Sequence, residues 1–394
     1  MDVLEEVTNS FKKLEEYVSN ENYCGWDPYD ALYTKRIPKR LLNNKFLGIV
    51  LIQLNKYSPI NFRRILIIKK GRSNKALALF SRAYYLASLT LENQNYYREK
   101  AFYLLRELIA KTDENCASHY FNYVSLNSSL NPSTTDIICL LESIKSLIIA
   151  YNFEKKIEFL EKANYRLEKI FNLLLITDKE IAYVKYTPVE RGKVVFNVSS
   201  LFLEALSEFG KFKKMPEYYI EISEKIVRFL LKHQRDDGAW PYSIYTEKGK
   251  YYWQIDFHQG FIIDGLNSIL PYLDGKVRTE TENALNKAIR FYMEKQFTKD
   301  GYSYYRYPFK YPIDIHNQAQ GIITFSKLYK TRGEEKYLDF AKKIALWTIK
   351  NMQSPEGYFY AHKWPFFVNK IPYMRWGQAW MMLALATLLE VLRE

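Results

Sequence analysis

The chain has 394 residues, of which 48% are hydrophobic and 26% charged, values that permit a large core and exclude a disordered polymer. Acidic residues in the opening MDVLEEVTNSFKKLEEYV stand where a secretory signal would carry bases, and no apolar run reaches the length of a membrane span, so a cytoplasmic protein is expected. The net charge of +13 is concentrated: Lys35, Arg36, Lys39, Arg40, Lys45, Lys56, Arg63, Arg64, Lys69, Lys70, Arg72 and Lys75 form a stretch without a single acid.

That stretch from Lys35 to Lys75 reads as a patch for an acidic partner, a phosphate or a membrane surface, with the class of partner set by charge alone. It does not read as a nucleic-acid groove, because the bases lie apart from the aromatics that single strands stack on. Cys24, Cys116 and Cys139 have no CxxC spacing, which argues against a disulfide framework and a cysteine zinc site. Tyrosine is abundant, with 34 residues beside 24 Phe and 7 Trp, and such rings serve packed walls and sugar-binding surfaces alike.

A repeat governs the chain. Gln259, Gln318 and Gln378 each fall near the start of an apolar helix, at intervals of 59 and 60 residues. Stepping backward by the same interval reaches Asn197, Asp136 and the segment beginning at Lys75, which also open apolar helices, so six units are expected. A more charged amphipathic helix precedes each one, over 38–57, 94–112, 157–176, 216–234, 279–297 and 335–353. Six such hairpins predict an all-α fold, the (α/α)6 toroid, over 38–394, with 1–37 as an amino-terminal segment packed on it.

Connections from outer to inner helix are long and are expected to carry function. Three begin alike, at Asp237-Gly238, Asp300-Gly301 and Glu356-Gly357, where an acid and a glycine make the turn that ends the outer helix. Residues 242–253 then predict a small β-hairpin. Inner-helix starts gather polar groups. Asp136 and Asn197 are read as N-caps. Asp256-x-His258 and Asp314-x-His316 place an acid two residues before an imidazole in adjacent units, and a carboxylate that orients an imidazole suits it to proton exchange near neutral pH. Arg375 and Tyr373 complete the candidate catalytic set, Arg375 as an anion holder and Tyr373 as a reserve acid. Trp240, Trp253, Tyr302, Tyr304, Tyr305, Trp364 and Trp376 are candidate stacking surfaces for sugar rings, with Gln259, Asn317, Asn197, Asp27 and Asp30 as polar contacts. No metal-ligand spacing such as HExxH is present, and neither metal nor cofactor is expected.

The segments Gly25-Trp26-Asp27-Pro28-Tyr29-Asp30-Ala31-Leu32, Pro312 to Gln320 and Ile371 to Trp380 resemble motifs of largely uncharacterised α/α-toroid proteins encoded among polysaccharide-biosynthesis genes. More distantly the chain is similar to the helical domains of glucuronyl C5-epimerases and sugar 2-epimerases, which use tyrosines, carboxylates or histidine pairs. The resemblance implies a role in polysaccharide biosynthesis and a glycan partner: an oligosaccharide, a polysaccharide or a lipid-linked glycan. Epimerase or lyase-like acid-base chemistry on an anionic or lipid-linked glycan is the leading expectation. Glycoside hydrolysis by paired carboxylates, Asp256 with Asp314 or Asp27 with Asp30, is a second. A non-catalytic glycan-binding or assembly protein is a third. The acidic motif of terpene cyclases and the zinc ligands of prenyltransferases are missing from the matching positions.

Overall fold

A computed structural model describes residues 2–42, 44–112, 136–188 and 192–393. Cys116, and the expected long connection that contains it, lie outside the described residues, as do the side chains of Lys39 and Lys45. In chain order the helices and strands are α1 (Val3–Asn20), α2 (Lys39–Leu42), α3 (Lys45–Tyr57), α4 (Asn74–Thr90), α5 (Gln94–Lys111), α6 (Ile137–Glu154), α7 (Ile157–Leu173), β1 (Leu175–Thr177), β2 (Ala182–Val184), β3 (Lys193–Val195), α8 (Phe196–Gly210), α9 (Glu217–Lys232), β4 (Ser243–Tyr245), β5 (Lys250–Tyr252), α10 (His258–Ile269), α11 (Gly275–Phe291), β6 (Ile313–Asp314), α12 (Ile315–Arg332), α13 (Glu335–Met352), β7 (His362–Lys363), β8 (Val368–Asn369) and α14 (Ala379–Arg393). Two compact units are distinguished, one of residues 1–135, 311–319 and 345–394, the other of residues 136–310 and 320–344.

The alternation of buried and half-exposed helices follows the sequence pattern. In α4, α6, α8, α10 and α14 nearly every side chain is buried, whereas α7, α9 and α11 bury one stripe of apolar residues and leave charges outside. Short strands follow some of the outer helices. β4 and β5 form the hairpin expected over 242–253, with Ser243 opposite Tyr252, and β3 joins its edge. β7 lies between β6 and β8, with Asp314 opposite His362.

The first outer helix is not where the periodicity put it. Each acid-Gly turn packs on an outer helix, and the third shows which helix that is. Gly238 has φ +98° and a Cβ added there would lie 2.4 Å from the carbonyl oxygen of Lys287 on α11; a Cβ on Gly301, with φ +93°, would lie 2.8 Å from that of Lys343 on α13. A Cβ on Gly357, with φ +94°, would lie 2.2 Å from the carbonyl oxygen of Lys13 on α1. Gln234 donates to the carbonyls of Gly238 and Ala284, and Gln353 donates in the same way to those of Gly357 and Ser10. α1 therefore holds the position of an outer helix, burying Val7, Phe11, Leu14 and Val18. The segment 38–57, expected to be that helix, breaks into α2 and α3 inside the connection between α1 and α4.

The repeat of glutamines also has a structural cause. Gln259 accepts from the Trp240 N–H at 2.8 Å and donates to the Trp240 carbonyl at 2.9 Å; Gln378 clamps the N–H and carbonyl of Phe359 at 2.8 Å each. Each amide satisfies a buried loop backbone that no strand pairs. Gln318, the remaining glutamine of the period, donates to Thr348 Oγ1. In the second unit a chain of charges, all buried but the partly open Lys327, crosses the inner helices: Lys145 lies 2.7 Å from Glu142 and 2.8 Å from Glu204, and Lys327 lies 2.5 Å from Glu204 and 2.9 Å from Asp264. Burial and the charge of Glu204 push the Asp264 carboxyl upward against the pull of Lys327.

Replacing Gln378 by Ala strips the partners from one buried N–H and one buried carbonyl and is expected to cost about 3 kcal/mol. Urea unfolding of Gln378→Ala beside wild type checks this; a loss near zero would show that water takes over both groups.

Candidate functional site

The three segments on which the family resemblance rests converge in the first unit. Met374 N–H donates to the Trp26 carbonyl at 3.1 Å, and a Cβ on Gly25 would lie 2.5 Å from that of Met374, so only glycine allows this approach. Beside it, Asp27 receives a two-pronged bond from Arg375, 2.6 Å from Nε and 3.0 Å from Nη2. Asp30 and Arg63, both without solvent contact, form a second pair at 2.8 Å. The remaining Arg63 nitrogens donate to the carbonyls of Asn55 and Asp27 and to the Tyr373 hydroxyl, while Asn55 donates to Asp30 at 3.0 Å. Burial presses the Asp30 carboxyl upward, opposed by Arg63.

Asp314, at the end of β6, is the other acid of this cluster. Its Oδ1 accepts from the His316 N–H at 2.9 Å and from the Trp376 indole N–H at 3.0 Å. Its Oδ2 lies 3.4 Å from His362 Nε2. Burial alone would raise this carboxyl; the neighbouring imidazole of His362, with the charges of Lys56 and His316 added, outweighs it and holds the group well below the usual carboxylate range. The imidazole of His316 stacks on Trp380 at 4.9 Å and meets the Trp376 ring edge-on at 4.7 Å. Lys56, also buried, donates to Tyr29 Oη and sits about equally over the rings of Tyr29, Tyr57 and Trp376, at 4.9, 5.0 and 5.2 Å.

In the second unit the corresponding acid behaves differently. Asp256 Oδ1 lies 2.5 Å from His258 Nδ1 and 3.2 Å from the His258 N–H, and Oδ2 accepts from Gln254 at 2.6 Å. With Nδ1 on the carboxylate, ring geometry turns Nε2 to the opposite side. The imidazole is partly open, 13% exposed, against the ring of Tyr242 at 4.7 Å and stacked on Phe257 at 4.1 Å. Just upstream of Asp256 lies an open aromatic run, Tyr251, Tyr252 and Trp253, with Arg235 over the Trp253 ring.

The expected dyads thus split: Asp256 bonds the imidazole of His258, whereas Asp314 caps the backbone of His316 and takes His362 as its imidazole partner. Neither His362 nor Lys56 is expected at a site from sequence. The available signal for His362 is the shortage of histidine, five in the chain, together with its place after the third acid-Gly turn. Arg375, expected to hold a substrate anion, has two nitrogens committed to Asp27, and Asp27 and Asp30 are ion-pair partners inside the fold. Tyr373, expected as a reserve acid, is fully enclosed and donates to the carbonyls of Asn55 and Lys56; burial pushes its hydroxyl up to about 12, far from proton exchange at neutral pH. Trp240 has no exposed surface for a sugar to stack on, its indole N–H being bound to the Leu230 carbonyl, and Gln259 serves its backbone.

Asp136 caps α6 as expected, accepting from Ile138 and Cys139, but Asn197 lies one residue inside α8 and no cap bond forms there. Its buried Oδ1 has no hydrogen-bond partner among the described residues. Asn317 is buried on α12. Tyr302 lies under Lys310, Tyr304 packs on Tyr307, and Tyr305 lies under Arg306, all half-buried. Trp364 stacks on Phe367 at 5.4 Å beside Phe366 at the tip of the β7–β8 hairpin, and Trp376 is the nearly buried hub of the Asp314 cluster.

No protein-family model matches the chain, and no curated protein matches it in sequence. Solved structures do match in shape. The cellobiose 2-epimerase of Bacillus thermoamylovorans superposes with a TM-score of 0.64 at 14% identity, over 82% of this chain and 88% of that one. A possible GH105-family member from Salmonella enterica serovar Paratyphi A gives 0.63 at 14% identity, over 98% and 94%. An unsaturated glucuronyl hydrolase specific for heparin gives 0.60 at 14% identity, over 81% and 87%. Likeness at such identities speaks for the fold, and the fold class is the all-α (α/α)6 toroid with small β-hairpin insertions.

Because the Asp314 carboxyl is depressed in the folded chain, the stability it contributes is complete above the unfolded value of about 4 and is lost as pH falls through the acid range. Asp314→Asn is expected to lower stability by about 3 kcal/mol at neutral pH and to lose less than wild type on acidification. Urea midpoints taken from about pH 3 to about pH 7 test both; parallel curves for the two proteins would remove Asp314 from this role.

Proposed function

We propose that the protein is a carbohydrate-active enzyme that epimerises a sugar of an anionic or lipid-linked glycan, in polysaccharide biosynthesis, by moving a proton at carbon. The observation that carries this reading is the Asp256–His258 pair: a carboxylate at 2.5 Å fixes the orientation of the ring, and the opposite nitrogen lies on a partly open imidazole at the start of an inner helix. The exposed aromatic run at Tyr251, Tyr252 and Trp253 offers flat apolar faces for a sugar ring close by in sequence and in the same unit. The similar structures named as a cellobiose 2-epimerase and as an unsaturated glucuronyl hydrolase support carbohydrate chemistry as the class.

Hydrolysis by paired carboxylates is the second reading and has less support from geometry. A general acid must hold its proton near neutral pH, and Asp314 is held strongly ionised, while Asp27 and Asp30 are locked to arginines. Incubation with candidate oligosaccharides in deuterated water tests the proposal. Deuterium entering a ring carbon without cleavage is the expected result, and His258→Ala should reduce the exchange by about 10²–10⁴-fold. Cleaved product would support the hydrolase, and glycan binding that survives His258→Ala with no exchange in either protein would support a binding role alone.

A further inference from the structure

Helix α3 is inside out. Its inward face carries Gly48, Ile52, Asn55 and Lys56, two of them polar, and its outward face carries Phe46, Leu47, Ile49, Val50 and Leu54. Phe46 is 72% exposed and Leu54 61%. The reversal has a cause in the same unit: Asn55 must reach Asp30, Lys56 enters the box of Tyr29, Tyr57 and Trp376, and Tyr373 and Asn369 hold the carbonyls at this end of the helix. Those bonds fix the rotation of α3, and a helix so fixed shows its aliphatic side to solvent. The turn that follows extends the apolar surface with Ile60, Ile65 and Ile67.

The cations around this face are sorted by the same fold. Of the twelve bases between Lys35 and Lys75, Lys56, Arg63 and Lys75 are buried, Lys70 pairs with Glu21 and Arg72 with Glu107. Lys35, Arg36, Arg40, Arg64 and Lys69 are exposed, and no acid lies in the segment to neutralise them. A segment that offers exposed aliphatic and aromatic side chains together with exposed cations and no acid of its own is complementary to an apolar phase under an anionic layer, whereas a protein partner would have to match both with far greater detail. No described helix is long and apolar enough to cross a membrane, so the fit is to its surface.

We infer that α3 and the turn after it dock the protein on anionic lipid bilayers, with Phe46, Leu54 and Ile65 entering the boundary between headgroups and acyl chains and the exposed bases lying among the headgroups. This inference does not rest on the proposed sugar chemistry.

Flotation of the full chain with phosphatidylcholine vesicles, alone or with about one third phosphatidylglycerol, tests the assignment. Wild type should float with the anionic vesicles, stay behind with the neutral ones, and be released by salt. Reversal of three exposed charges in R36E/R40E/R64E should weaken binding by at least about tenfold, and F46E/L54E should weaken it comparably with thermal melting unchanged. The new indole in Phe46→Trp should shift its emission to the blue on binding and be quenched by brominated acyl chains, a readout that does not depend on either multiple variant folding. No flotation, equal flotation with both vesicle types, or Phe46→Trp emission that brominated chains leave unquenched would overturn the inference. So would a dimer of the wild type in sedimentation that Phe46→Glu makes monomeric, since a second copy would then cover this face.

Discussion

A guanidinium with no access to water has to be met by a carboxylate, and the pair of Arg63 with Asp30 is the constraint from which the first unit is built. Arg63 belongs to the turn after α3, Asp30 to the short helical turn after α1, and the remaining nitrogens of the arginine reach the carbonyls of Asn55 and Asp27 and the hydroxyl of Tyr373. One side chain therefore ties α3, the Gly25–Asp30 segment and the approach to α14 together. The desolvation it demands is offset only because all these partners arrive at once, so the segments that supply them have little freedom to move separately. The Asp27–Arg375 pair repeats the arrangement one step nearer the solvent.

The same constraint decides what faces outward. Once Asn55 and Lys56 are drawn inward by Asp30 and by the aromatic box, the helical period of 3.6 residues leaves Phe46, Val50 and Leu54 no inward position. Exposed apolar surface is then a consequence of buried polar satisfaction, and not of a defect in packing. Net charge alone misjudges this region for the same reason: three of its twelve bases serve the interior, and the electrostatic face is smaller and better defined than the sequence total implies.

Much of the architecture was legible in the sequence because the features that reveal it are local and repeated. The glutamine period could be read without knowing its cause, and its cause, a side-chain amide bonding both groups of a loop residue nineteen positions earlier, is a requirement that recurs wherever the loop packs the same way. The acid-Gly turns were legible for a similar reason, since φ near +95° against a neighbouring backbone admits only glycine. The first outer helix was not legible. Both α1 and the segment 38–57 carry apolar residues at helical spacing, and the contacts that choose between them, Gln353 reaching the Ser10 carbonyl and Gly357 against Lys13, join positions more than three hundred residues apart.

The Asp-x-His segments were legible to a similar depth. Asp-x-His spacing is the same in both units, and in both the acid accepts the N–H of the histidine two residues on, which is what the spacing dictates. Whether the acid also orients that histidine depends on what else competes for its oxygens. At Asp256 the competitor is Gln254, on the other oxygen, and the imidazole of His258 bonds the first. At Asp314 the strand register of β6 on β7 brings His362 across from the carboxylate, and Trp376 donates to the oxygen that already holds the backbone. His316 is thereby turned to the indoles of Trp376 and Trp380. Two identical motifs yield one imidazole held by a carboxylate and one held by aromatic faces. The competition for each carboxylate's oxygens, and not the spacing of the motif, therefore decides where the neighbouring imidazole is held.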